Sequence, residues 1–146
     1  MRAPFQILAI PYKIENGMPL YCILRRSDCG EWQFIAGGGE DNESPTAAAI
    51  REISEEGGIR VTDIIPLKSM CYIPVEIFQN RHMYGWADDL YVIPEYSFGF
   101  ECNGDLVLSI EHTELLWLPY NEARKRLQWD SNKTALYELD RILSKQ

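Results

Sequence analysis

The sequence predicts an α/β sandwich, a single domain over residues 1–146. Three observations predict it. Apolar, strand-like runs stand on both sides of one strongly helical segment, that segment carries start and stop signals of its own, and a second amphipathic helix closes the chain. Phe5 to Lys13 reads as the first strand, Glu15-Asn16-Gly17 as a turn, and Leu20 to Arg26 as the second strand. Ser27 to Gly30 is a loop, and Trp32 to Ala36 a short strand leading into three consecutive glycines. Thr46 to Glu56 holds three alanines in a row and no glycine or proline, so it is predicted helical. Ser44 suits the cap before it, Pro45 the first helical position, and Gly57-Gly58 a left-handed stop.

The remainder is read the same way. Val61 to Phe78 is β-rich, with Asp63 and Pro66 interrupting it, and Asn80 to Ala87 is irregular. Leu90 to Phe100 returns as strand, Asn103-Gly104-Asp105 is a turn, and Leu115 to Leu118 a short strand. Asn121 to Arg126 and Lys133 to Ser144 read as helices, the latter striped by Leu136, Leu139, Ile142 and Leu143.

Composition sets the bounds. Apolar content of 46% is that of an ordinary soluble globular domain, and 146 residues suffice for a sizeable core. The net charge of −8 argues against polymeric nucleic acid as the partner, since such binders carry basic patches. It leaves room for a polyphosphate held through metal ions. The N-terminal run reads as a strand and not a signal peptide, and no run reaches the length of a membrane span. The four cysteines lack metal-ligand spacing; Cys22 and Cys71 lie in strand-like runs and read as reduced core residues of a cytoplasmic protein.

The chemistry concentrates between Gly37 and Ile59, which reads GGGEDNESPTAAAIREISEEGGI. On a helical wheel Glu52, Glu55 and Glu56 share one face, with Ala47, Ile50 and Ile53 on the opposite face, expected to be the buried one. Like charges so placed cost roughly 0.2–0.5 kcal/mol per close pair. Hard carboxylate oxygens in such a group suit Mg2+ or Mn2+. The glycines let the backbone approach a ligand closely or take positive φ.

The same segment resembles the signature box of the Nudix hydrolase family. It runs Gly37, five residues, Glu43, seven residues, then Arg51-Glu52-Ile53-x-Glu55-Glu56-x-Gly58-Ile59, with every specified position filled. The resemblance implies the Nudix α/β/α sandwich, a mixed sheet between helices, and hydrolysis of diphosphate linkages with Mg2+ or Mn2+. It implies Glu52, Glu55 and Glu56 as catalytic metal ligands, the backbone of Gly37 in the metal shell, and a Glu43–Arg51 pair holding loop to helix. Outside the box, Leu24-Arg25-Arg26 with Trp32-Gln33, Glu111-His112 before Trp117-Leu118, and Asp130-Ser131-Asn132 are similar to bacterial dihydroneopterin triphosphate and dATP pyrophosphohydrolases. That similarity makes Glu111 the candidate remote glutamate at the metal, as ligand or base, with Glu114 the near alternative. Arg25, Arg26 and Lys13 are the expected phosphate contacts, with Arg81 and His82 able to close over substrate. Trp32, Phe34, Tyr84 and Trp86 are candidates to stack on a purine or pterin ring. The expected partner is a small nucleoside or pterin polyphosphate, and the expected state a monomer or homodimer.

Overall fold

A computed structural model describes residues 1–145 and places a seven-stranded mixed sheet between helices. The first strand, β1 (Arg2–Glu15), is its hub. Asn16 and Gly17, at φ 53° and 77°, make the tight turn into β2 (Met18–Arg26), the geometry a two-residue hairpin loop needs. β1 and β2 pair only from Tyr12↔Tyr21 to Glu15↔Met18 and then part. Into that wedge runs the next stretch of chain. β3 (Trp32–Gln33) pairs with β2, and β4 (Ile35–Glu40) pairs with the N-terminal half of β1. The single strand expected over Trp32 to Ala36 is therefore two, because the chain changes partner at Phe34.

The other edge of β1 pairs in parallel with β6 (Val92–Glu101), which pairs antiparallel with β5 (Ile65–Pro74). β7 (His112–Leu118) pairs with β2. Because both faces of β1 are covered, Ile7 to Tyr12 reads as an unbroken apolar run. Ile7 and Ala9 face the helix α1 (Pro45–Gly57), with Ala48, Ala49, Ile53 and Phe98 around them. Leu8, Ile10 and Tyr12 face α2 (Tyr120–Arg126) and α3 (Asp130–Leu143), with Leu136, Leu139 and Leu143 against them. Two polar latches join α3 to the sheet. The Tyr21 hydroxyl donates to Asp140 at 2.6 Å. The Glu138 carboxylate accepts the Lys68 and Ser69 N–H groups, left without ladder partners where β5 shifts register.

Residues 80–87 hold only a short 3-10 turn, Arg81–Met83, as the composition of that stretch predicts. Cys22 is buried and its thiol is pushed up to about 12 by that burial; Cys71 is half-buried beside Glu95. Among the described residues, no helix is long and apolar enough to cross a membrane.

Candidate active site

The phase of α1 decides the site. Ser44 caps it, its hydroxyl accepting the Ala47 N–H at 3.1 Å, Pro45 follows at the first position, and Gly58 ends it at φ 67°. With the ends fixed, Glu52 and Glu56 turn toward the sheet beside Ala48, Ala49 and Ile53, and only Glu55 faces solvent. This corrects the wheel reading, which set all three glutamates opposite the buried face; Ala47 is exposed and Ile50 half-buried. The physical reason lies across the gap. β4 presents Gly37 where a strand would ordinarily present a side chain, and the Glu52 carboxylate takes the space instead.

Each of the three glycines is occupied by one side chain. A Cβ on Gly37 would collide with the Glu52 carboxylate, one on Gly38 with the Arg2 guanidinium, and one on Gly39 with the Phe5 ring. None of the three has positive φ, so close approach and not backbone freedom explains them.

Arg51 ties this loop to the helix. Its Nε and Nη2 donate to both Glu43 oxygens at 2.8 and 3.0 Å, and Nη2 also to the Gly38 carbonyl at 2.8 Å. Its Nη1 donates to Glu52 at 2.9 Å and Glu55 at 3.1 Å. Glu43 additionally accepts the Glu40 N–H, and the Arg51 guanidinium holds its carboxyl below the ordinary carboxylate range.

A few ångströms of helix away the electrostatics reverse. Glu52 is 9% exposed, and burial raises its pKa against the pull of Arg51. Glu56 is 6% exposed and is pushed up to about 10, first by burial and then by the Glu111 carboxyl and Glu52. Its Oε2 is buried without a hydrogen-bond partner. Glu111 comes from the loop before β7, pinned to the end of β2 where the Ser27 N–H and hydroxyl both donate to its carbonyl. Glu114, the near alternative, pairs with Arg25 at 2.9 Å instead. His112, in register with Arg26, is buried with both ring nitrogens unpartnered, and burial lowers its pKa so that it stays neutral.

Glu52, Glu56 and Glu111 line one cavity of about 590 Å³ together with Gly37, Arg26, Phe78 and Arg2. The other sequence candidates separate. Arg25 is not brought in; it bonds the Gly30 carbonyl and Glu114. Phe34 is fully buried in the core under α3, so its ring cannot stack on a ligand. Trp32 is half-buried, packed against that core and bridged to Leu127. Arg81 is exposed over the Phe78 carbonyl, and Tyr84 lies against Trp86 at 5.1 Å, behind Arg2 and not on the cavity wall. Lys13 sits at the far end of β1, paired with Glu15 over the Trp117 ring. Arg2, Gln6 and Phe78 were not legible as site residues. The contact of Arg2 with Gly38 depends on the pairing of β1 with β4, which no local pattern announces.

The donor set fits a hard divalent cation. Three carboxylates meet at one cavity, and the buried, unpartnered Glu56 oxygen is an acceptor such an ion would satisfy. Among the described residues, no three acidic, His or Cys side chains converge closely enough to cage an ion unaided. An open set of this kind suits an ion that keeps water and substrate oxygens as ligands, as Mg2+ does.

Comparison with known proteins agrees. The NUDIX domain family matches residues 11–139. A NUDIX hydrolase structure from Listeria monocytogenes is similar over 98% of this chain and 96% of its own, at TM-score 0.86 and 40% identity. The E. coli dihydroneopterin triphosphate pyrophosphohydrolase shares the fold at TM-score 0.76 and 23% identity, over 99% of this chain and 98% of its own. An 8-oxo-dGTP diphosphatase of Proteus vulgaris is 41% identical over 54 residues, 37% of this chain and 45% of that protein. The chain spans 25% and 45% of the lengths of two curated relatives it matches. With the match running through the sheet, the glycine loop and the glutamate helix alike, this chain belongs to the Nudix hydrolase family.

Proposed function

We propose that the chain cleaves a phosphoanhydride bond of a nucleoside-triphosphate-like substrate, dATP or dihydroneopterin triphosphate, to the monophosphate and pyrophosphate. The observation that carries this reading is the meeting of Glu52, Glu56 and Glu111 on one cavity that Arg2 and Arg26 also line. Glu52, Glu56 and Glu111 would hold Mg2+ or Mn2+, with the Gly37 backbone and the exposed Glu55, now paired with Arg51, as further candidate ligands. When bound, the cation supplies neutralisation of the diphosphate and a water of lowered pKa.

The chain's own groups do the rest. Arg26 borders the phosphates, its Nε already oriented by Asp28 at 2.8 Å. Glu111, exposed and lining the cavity, is the residue we assign as a further ligand or as the base for the attacking water. Burial, and then the Glu111 and Glu52 carboxyls, push the Glu56 pKa up to about 10, and a cation at the cavity would favour its ionised form. The Glu111-His112 pair and the fold shared with the E. coli enzyme favour the pterin or dATP substrate. The shorter match to the Proteus vulgaris protein favours an oxidised nucleotide as the second reading. The four free cysteines support a cytoplasmic setting.

The test is pyrophosphate and phosphate release with Mg2+ or Mn2+ from dATP, the other nucleoside triphosphates, 8-oxo-dGTP, dihydroneopterin triphosphate, diadenosine polyphosphates and nucleotide sugars. Selective pyrophosphate release from dATP or the pterin is the expected result. Preference for a dinucleotide or a nucleotide sugar would overturn the substrate class.

A further inference from the structure

Positive charge gathers where α3 meets the edge strand β5. A depression of about 580 Å³ there is lined in part by Lys68, Tyr137, Glu138, Arg141, Ile142 and Lys145, and it shares no residue with the cavity of Glu52, Glu56 and Glu111. Three of these six are cations, in a chain where acidic residues outnumber basic ones 22 to 14. Among the described residues, none of the three stands within ion-pair distance of a carboxylate.

The carboxylate among them is already spent. One Glu138 oxygen accepts the Lys68 N–H at 2.7 Å, and the other accepts the Ser69 N–H and hydroxyl at 2.8 and 2.6 Å. The register shift of β5 between Pro66 and Met70 supplies those donors, so the fold itself commits Glu138 to them. Arg141 in the last turn of α3 and Lys145 just past its end suit the negative end of the helix dipole. That dipole does not explain Lys68, which comes from the sheet edge and adds like charge to theirs. Like charges brought to one concavity draw in an anion.

The lining has a flat apolar part as well. Tyr137, four residues before Arg141, is 54% exposed, with Ile142 also on the wall. A guanidinium fork and two ammonium groups match the oxygens of a phosphate group, and the phenol ring offers a face to a planar group carried on it. The volume lies within the range of small-molecule sites, roughly 300–1,000 Å³.

We propose that the depression between α3 and β5 is a second anion site, taking a phosphate group, free or borne by a nucleoside, on Lys68, Arg141 and Lys145. The contact joins the sheet edge to the end of α3. It stands independently of the hydrolase reading, although both products proposed there carry the group it takes.

Calorimetry on the metal-free protein at low ionic strength tests this with inorganic phosphate, pyrophosphate and AMP. The parent is compared with Arg141→Gln, the double variant Arg141→Gln/Lys145→Gln, Tyr137→Ala, and Arg60→Gln as a charge control outside the depression. Circular dichroism checks folding, and kcat on the best triphosphate substrate is followed in parallel. Pyrophosphate affinity is expected to fall about fivefold to tenfold in Arg141→Gln and further in the double variant, with Arg60→Gln at the parental value and kcat unchanged throughout. AMP binding tighter than phosphate, with the excess lost in Tyr137→Ala, sustains the site and makes its ligand a nucleotide. Equal affinities sustain it for the free anion. Pyrophosphate bound equally by the parent and the folded double variant, or no saturable binding to the parent, overturns the inference. Binding that depends on Arg141 in a parent that cleaves no triphosphate sustains it and overturns the substrate reading alone.

Discussion

Two acidic groupings, centred on Arg51 and Glu56 of α1 little more than a turn apart, behave in opposite ways. Around Arg51 each carboxylate has a cationic partner, and the Glu43 carboxyl titrates below its ordinary range. At Glu56 burial, and after it the Glu111 and Glu52 carboxyls, raise the pKa to about 10. The residue type is the same. The first grouping fastens the glycine loop to the helix; the second is left short of positive charge at a cavity. Perturbation by burial and a like charge, in a cleft, is the reason the second grouping is the one proposed to act on substrate.

Substitution at Glu56 should break the comparison most severely. Glu56→Gln is expected to lower turnover about 10³-fold with the circular dichroism spectrum unchanged. Near-parental kcat would remove Glu56 from the mechanism. Glu55→Gln sharpens the boundary between the groupings, because Glu55 is box-specified yet exposed and tied to Arg51. Turnover falling by about 10² would set it with the catalytic carboxylates, which is the expected result; unchanged kcat would set it with the ion pairs.

Next in size is Arg51→Met, which leaves Glu43, Glu52 and the Gly38 carbonyl without their donor. Urea denaturation should show a loss of about 2–3 kcal/mol, some of it spared because the guanidinium is a quarter exposed. Acidity then separates the two groupings by sign. Glu56 has a folded pKa above its unfolded one, so its contribution to metal-free stability is full below the ordinary carboxylate pKa and is lost as pH rises toward about 10. Glu43 has a lowered folded pKa, so its contribution is present above the ordinary value and lost as pH falls through the depressed one. Thermal melts of the metal-free protein should therefore decline from neutral to alkaline pH, with Glu56→Gln flattening the slope and Mg2+ doing the same. A slope unaffected by the substitution would assign it to other groups. The smallest effect is expected at the helix start, where Ser44→Ala should cost about 1 kcal/mol of stability and leave KM unchanged.

What the sequence made legible follows from distance along the chain. The caps, the length of α1 and the identity of its glutamates are local, and spacing alone reveals them. The direction in which Glu52 and Glu56 point is not local. A wheel assumes that glutamate faces water, and only the pairing of β4 with β1 shows that Gly37 opposite leaves space for the Glu52 carboxylate. Arg25 and Arg26 are adjacent and chemically alike, so the choice between them waits on which side of β2 meets the cavity. Phe34 reads as a plausible stacking ring until the change of strand partner puts it under α3. Arg2 carries no signal at all, because its neighbours come from the 36–38 and 78–86 stretches.

The central position of β1 also sets a schedule. During synthesis β1 can pair early with β2 and β4, but its other edge waits for β6, where Gln6 meets Glu95 across 89 residues of chain. Until then that edge is an open row of backbone donors and acceptors on a nascent chain. The cavity wall obeys the same timing, with Arg2 made long before Glu111. A partly synthesised chain thus holds its glutamate helix and glycine loop without a working site, and long-range closure, not local helix formation, sets the pace at which activity can appear.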